Sequence, residues 1–335
     1  MNKQWFNALI VLPLLMFSCS SGIKPGDKVL FTPENFNEHW KSVNILPGDT
    51  LVLRENGSAI GSTFEIRNFR LSVDLYTTNG AEGFVDFHTK PGLSDNIQGY
   101  SVKINNSDYR SGSNQKTGSL SLIRNNFVRT AQNNKWFNLV IEVRENNIKT
   151  FVNGQLITDY TQAANPERID GLHNVKTGSG IIRIRKTTDG GALVIGPLEI
   201  EYYNDELAVE NVPEFADDSL SRKLSLLNQQ EFPLIDFHGH LKGGLTAEQV
   251  STHGRLFGYN FGLSPNCGLN FPVTNDSSLV AWYDEMSPMP VFKAMQCEGR
   301  EWVTLFSPEA ISLYDYIFTD AMTWTDHKGR RLRLW

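Results

Sequence analysis

Two of the seven histidines stand one residue apart, His238 and His240, where a short apolar run, Pro233-Leu234-Ile235, continues into Asp236-Phe237-His238-Gly239-His240. Alternate residues of a strand point to the same side. Both imidazoles therefore leave the strand end together, with Gly239 turned away. Imidazole is a good donor to zinc, iron and nickel, and this spacing suits two ligands on one ion. Asp236 shares the parity and is a candidate ligand, a partner that orients a ring, or a catalytic group. The alternative is an incidental polar strand end.

The elements that must hold these residues read as βα repeats over 231–335. Thr246 to Phe257 is a capped helix ended by Gly258, and Asn260 to Ser264 is a strand. Leu279 to Met286 is a helix, and Pro290 to Gln296 is a strand that runs into Cys297-Glu298. A helix starts at Ser307 or Pro308, and Tyr316 to Asp320 is a fourth strand. The order βαβαβαβ implies a parallel sheet or α/β barrel with its site at the C-terminal ends of the strands. The segment resembles the PHP superfamily of metal-dependent phosphoesterases. Its first strand ends in His-x-His, matched by His238 and His240, and its third in a metal-bridging Glu, matched by Glu298. The resemblance implies a divalent metal (zinc, manganese or iron) held by His238, His240 and Glu298, with Asp236 and Asp320 as catalytic candidates. Metals in such sites lower the pKa of a bound water to about 7. The sequence departs from the family at Asn266-Cys267, where Asp-His is usual, and at Asp320-Ala321-Met322, where a later His is usual. The chain ends at Trp335, so a partial, truncated barrel is expected. Cys267 and Cys297 are expected at neighbouring strand ends, either paired with each other or as free thiols.

Residues 26–203 read differently. Phe69 to Tyr76, Tyr100 to Ile104 and Phe137 to Val143 alternate apolar and polar residues, and Asn153-Gly154 sits between Ile148–Val152 and Gln155–Ile157. Asn-Gly is a strong hairpin signal because both residues tolerate φ > 0. Many short strands with polar turns imply an antiparallel β-sandwich. The order Phe69-Arg70-Leu71, Gly80 to His88, Gly99-Tyr100-Ser101-Val102, Trp136-Phe137-Asn138, Val152-Asn153-Gly154 and Gly196-Pro197-Leu198 resembles the 3-keto-disaccharide hydrolase domain. That resemblance implies a concanavalin-like jelly roll directed at glycosides oxidised at the sugar 3-position. The family's Asn-Ser-Gly reads Ala81-Glu82-Gly83 here, and its Tyr-Glu-x-Gln reads Tyr100-Ser101-Val102-Lys103. Glu82, Asp86 and His88 lie two or four residues apart, so alternation puts them on one face as a candidate substrate-binding set. The alternative is a solvated polar face. Trp136 is expected in the core, while Tyr109 and Phe127, in polar surroundings, are the stacking candidates.

Residues 1–18 carry Lys3 and an apolar stretch from Ala8 to Phe17, too short for a bilayer about 30 Å thick. Met16-Phe17-Ser18-Cys19 resembles a bacterial lipobox, which implies a signal peptide, a lipidated Cys19 and a tether to residue 25. The expected location is the cell envelope, periplasmic or on the outer-membrane surface, with the membrane contacted through Cys19. Residues 204–230 read as a linker, with Asp218 or Ser219 capping a short helix, and would let the two domains move independently. The net charge of −6 and the lack of a basic run exclude a nucleic-acid reading. The expected function is an exported, lipid-anchored, metal-dependent hydrolase acting on a glycoside or a sugar derivative, phosphorylated or acylated. The rivals are a non-catalytic carbohydrate-binding lipoprotein and a 3-keto-glycoside enzyme with its chemistry in the sandwich.

Overall fold

The computed structural model describes residue 24 and residues 26–32, 36–43, 51–90, 98–108, 114–203, 218–319 and 323–333. Cys19, Tyr109 and Asp320 lie outside the described residues. Among the described residues no helix is long and apolar enough to cross a membrane.

Alternating sequence produces the first unit. Its strands are β1 (Lys28–Phe31), β2 (Trp40–Val43), β3 (Leu51–Leu53), β4 (Ala59–Ser62), β5 (Phe69–Thr77), β6 (Glu82–Thr89) and β7 (Tyr100–Asn105). They continue with β8 (Trp136–Arg144), β9 (Asn147–Val152), β10 (Gln155–Thr161), β11 (Ile181–Lys186) and β12 (Leu193–Tyr202); one helical turn, α1, spans Phe36–His39. One sheet runs β1-β12-β5-β8-β9-β10 with β3 also on β12, and the other runs β2-β4-β11-β6-β7. Every pairing is antiparallel. Phe69, Leu71, Val73 and Leu75 of β5 are fully buried, alternating with half-buried Arg70, Ser72, Asp74 and Tyr76. They meet Val85, Phe87, Val102 and Ile184 of the facing sheet in one core. Each such side chain contributes roughly 1.5–3 kcal/mol by leaving water. Asn153 and Gly154 both take positive φ (50° and 78°) and close the β9–β10 hairpin, as expected.

Two aromatic expectations are reversed. Trp136 is 55% exposed, because the parity that buries Phe137, Leu139 and Ile141 turns it outward onto Tyr76, with ring centroids 5.6 Å apart. Phe127 is buried, packed with Val128 against Ile235, Phe292 and Tyr316 of the C-terminal unit.

That unit contains α2 (Ser219–Gln229), β13 (Ile235–Gly239), α3 (Ala247–Phe257), β14 (Asn260–Leu263), β15 (Asn266–Cys267) and α4 (Asp276–Met286). β16 (Phe292–Cys297), α5 (Trp302–Leu305), α6 (Pro308–Ile311), β17 (Tyr316–Thr319), β18 (Thr323–Thr325) and β19 (Arg331–Arg333) follow. Thr246 and Gln249 cap α3 reciprocally, and Gly258 ends it in the left-handed region. α4 starts three residues earlier than expected, because Asn275 accepts from the Ser278 backbone N–H. β13 pairs β14, β14 and β15 pair successive parts of β16, and β17 pairs its other side, all parallel. The described strands form an open sheet rather than a closed barrel. The last strand, β19, turns back antiparallel on β18.

The units do not sit on a loose joint. Asn125 donates from its backbone N–H to Asn228 Oδ1 (2.9 Å) and from Nδ2 to Asn228 O (2.7 Å). The Phe127 N–H donates to Asn260 Oδ1 (2.9 Å), and Asn260 Nδ2 returns a bond to Asn125 O (3.0 Å). Arg124 Nε donates to Leu256 O at the end of α3 (2.6 Å). These asparagines are buried, so undocking would exchange their fixed hydrogen bonds for water and expose the apolar contacts of Phe127 and Val128. These contacts oppose the independent motion expected of a linker.

Candidate functional site

The C-terminal ends of the parallel strands bring side chains from four segments together. His240 Nδ1 lies 2.8 Å from Ser264 O. A backbone carbonyl only accepts, so Nδ1 carries the proton and the neutral ring's lone pair is on Nε2. That Nε2 lies 3.1 Å from His238 Nε2, which is itself 2.9 Å from Gln296 Oε1. His238 Nε2–H thus donates into a gap bounded by both acceptors. Gln296 Nε2 donates to Glu298 Oε1 (2.9 Å), and Asn266 Nδ2 donates to the same oxygen (2.7 Å). The Phe318 ring packs edge-on against His238, with centroids 4.7 Å apart. Gly268 makes room, since a Cβ there would sit 2.9 Å from Glu298 Cβ.

His238, His240 and Glu298 therefore share one end of the sheet, but Gln296 stands between the imidazoles and the carboxylate. Among the described residues no three His, Cys, Asp or Glu side chains are grouped as metal ligands. Among the described residues Asp236 orients no ring; its Oδ1 accepts the His238 backbone N–H (2.9 Å) and shapes the strand end. Sequence reasoning missed Gln296, although it lies two residues before Glu298 and so shares its parity. It also missed Asn266, where only a family difference was noted. Cys267 and Cys297 are cross-strand partners, buried and outside any disulfide. Burial pushes both thiols up, Cys297 to about 12, so neither is a ready nucleophile.

The candidate set on the sandwich separates. Glu82 and Asp86 do share the outer face of β6, but neither is solvated. Fully buried Asp86 accepts from Arg183 Nε (2.9 Å), Arg185 Nε (2.7 Å) and Ser101 Oγ (2.7 Å). Glu82 Oε2 accepts from Lys103 Nζ (2.7 Å). Lys103 and Arg185 both lie over the Phe84 ring, 4.6 and 4.5 Å from its centroid. His88 leaves the face. The β6–β11 register slips between Ile181 and Arg183, and His88 takes φ 56°. Its ring turns to the sandwich edge, where Nε2–H donates to Arg67 O (2.8 Å) and Nδ1 accepts from the Gly178 N–H (3.3 Å). Burial lowers its pKa to about 4.

Among the described residues, two cavities open on the sandwich surface. An apolar groove of about 400 Å³ is lined by Leu30, Phe36, Leu51, Trp136, Ile195 and Pro197. A polar cavity of about 540 Å³ opens where β7 ends, lined by Asn106, Ser107, Asp108, Arg129, Gln132 and Asn133.

A family described as a 3-keto-alpha-glucoside-1,2-lyase-like domain matches residues 27–194. No curated protein matches the chain. Among solved structures, a protein of Parabacteroides distasonis ATCC 8503, provisionally assigned as a glycosyl hydrolase, is 14% identical with a TM-score of 0.43, over 50% of this chain and 89% of its own. The carbohydrate binding module CBM66 from Bacillus subtilis is 17% identical with a TM-score of 0.32, over 48% of this chain and 94% of its own. The Bacillus licheniformis beta-glucanase is 13% identical with a TM-score of 0.35, over 53% and 99%.

Proposed function

Because the chain belongs to the 3-keto-alpha-glucoside-1,2-lyase-like family, we propose that it is a carbohydrate-directed hydrolase whose sandwich holds a glycoside and whose chemistry is metal-assisted at His238 and His240. The observation that carries this reading is the 3.1 Å approach of the two Nε2 atoms, with His240 held by Ser264 O in the tautomer a metal ligand needs. The donor set fits a borderline or hard divalent cation: two imidazoles, with the Gln296 amide oxygen and the Glu298 carboxylate behind them. When bound, such a cation supplies an activated water and polarises the scissile bond. The chain's own residues do the rest. Ser264 O keeps Nδ1 of His240 protonated. A shift of His238 to the tautomer protonated on Nδ1 would free its Nε2. Asn266 and Gln296 hold Glu298 in place, and its negative charge favours a cation nearby. The proposal extends to export and a lipid anchor at Cys19, supported by the short apolar segment before it.

A second reading, a carbohydrate-binding lipoprotein without catalysis, is favoured by the sandwich itself. Elimination or hydrolysis there needs a positioned acid or base. Glu82 and Asp86 are instead held by Lys103 and by Arg183 and Arg185, and Ser101 stands where the family carries a carboxylate.

The test is metal content of the purified full chain beside His238→Ala/His240→Ala, with turnover of methyl α-D-glucopyranoside and its 3-keto derivative before and after chelation. Near-stoichiometric metal lost in the double variant, with chelator-sensitive turnover, is the expected result. A folded chain that takes up no zinc, manganese or iron overturns the metal mechanism and leaves the binding reading.

A further inference from the structure

We propose that the polar cavity at the end of β7 is the subsite that holds the neutral sugar ring, in place of the Glu82–Asp86 face; this rests on the carbohydrate-directed reading above. Three segments converge there: Asn106 to Asp108 directly after β7, Arg129 to Asn133 before β8, and the Asn79-Gly80 turn between β5 and β6. Its volume of about 540 Å³ lies within the roughly 300–1,000 Å³ of small-molecule pockets.

Its wall is preset by one directional chain of hydrogen bonds. Thr117 Oγ1 donates to Asn106 Oδ1 (2.6 Å), Asn106 Nδ2 to Thr77 Oγ1 (3.0 Å), and Thr77 Oγ1 to Asn133 Oδ1 (2.8 Å). Thr77 and Thr117 are fully buried, so the chain is fixed from beneath and ends on the carboxamide NH₂ of Asn133. Such chains polarise each member in turn.

Ser107 supplies the independent observation. Its backbone N–H donates to Asn105 Oδ1 (2.9 Å), and its carbonyl accepts from Lys116 Nζ (3.0 Å). The residue is locked and only 4% exposed, yet its hydroxyl has no hydrogen-bond partner among the described residues. Buried hydroxyls without partners are rare, and Ser107 is one of the residues that line the cavity. The ligand class follows from charge and chemistry. Asp108 and Arg129 cancel formally, so the lining selects neither an anion nor a cation. Amide, hydroxyl, carboxylate and guanidinium groups at fixed positions match alternating sugar hydroxyls, which both donate and accept.

The test is calorimetric titration of the full chain with methyl α-D-glucopyranoside, sucrose and trehalose, and with glucose 1-phosphate as the charged comparison. A neutral sugar is expected to bind, with glucose 1-phosphate no tighter. Ser107→Ala and Asn133→Ala are expected to weaken binding by about tenfold or more, about 1.4 kcal/mol per decade. Gln132→Ala, at an exposed position where folding is not at stake, is expected to weaken it several-fold. Sugar binding that is unchanged in all three variants overturns this assignment and leaves the carbohydrate reading intact. Tighter binding of glucose 1-phosphate overturns the neutral ligand class. No binding of any sugar by the folded wild-type chain overturns both.

Discussion

At the residue scale, the buried charges of the sandwich show how context decides role. Asp86 and Glu82 have the chemistry of acid–base residues, but three cations hold them, and removing one partner of a buried pair typically costs about 3–5 kcal/mol. They act as bolts across β6, β7 and β11. His88 behaves as a buried base. Its pKa falls from 6.5 to about 4, chiefly because burial disfavours the imidazolium. The unfolded chain binds more protons than the native one between those values, so stability falls as pH drops through that window and is intact above 6.5. The full effect is about 3 kcal/mol, at 1.36 kcal/mol per unit. His88→Asn keeps a side chain that tolerates φ 56° and removes the titration. Urea unfolding at pH 7 and pH 4 is expected to show a smaller acid loss in the variant than in wild type; equal losses would refute the assignment.

At the element scale, α3 carries both a capping box and a left-handed terminator. Gly258, at φ 65°, places its missing Cβ 2.4 Å from Asn228 Oδ1. The same asparagine bonds Phe257 O, Leu224 O and the Asn125 N–H. Gly258→Ala therefore adds a left-handed penalty and displaces a buried polar hub, a loss of about 2–4 kcal/mol in urea unfolding. Gly243→Ala is the control. Its φ is 64° but nothing lies within 4 Å, so only about 1–2 kcal/mol is expected. Equal losses at the two positions would mean that Asn228 does not set the geometry there.

At the scale of the whole molecule, the sandwich loop through Arg124 to Val128 forms the floor under the parallel sheet, opposite the histidine end. Phe127 packs on Phe292, Ile235 and Tyr316, and the Tyr316 hydroxyl donates to Phe237 O, one residue before His238. Arg124 is buried over the Tyr160 ring, and desolvation lowers its pKa to about 10. With this interface in place, wild-type unfolding followed by circular dichroism and by tryptophan fluorescence is expected to coincide. Phe127→Ala, a buried aromatic truncation costing about 3–5 kcal/mol, is expected to separate the two curves, with the C-terminal unit melting first. Two separated transitions in wild type would show that the units are not coupled.

The local patterns were legible in the residues alone. The two-residue period of Phe69 to Tyr76 fixes which face is buried, Asn153-Gly154 closes its hairpin, Thr246 and Gly258 bound a helix, and His-x-His lands at a strand end. Each depends on neighbours a few residues away, where backbone geometry and side-chain period are set by local sterics. Tertiary structure decided what the side chains meet. Asp86 finds Arg183 across 97 residues of sequence. Phe127 is buried by Phe292, and His88 is turned off its face by a slipped register between two strands. Gln296 enters between the imidazoles and Glu298 because β16 lies beside β14 and β15. Exposure and pairing depend on which surfaces pack together, and no local period carries that information.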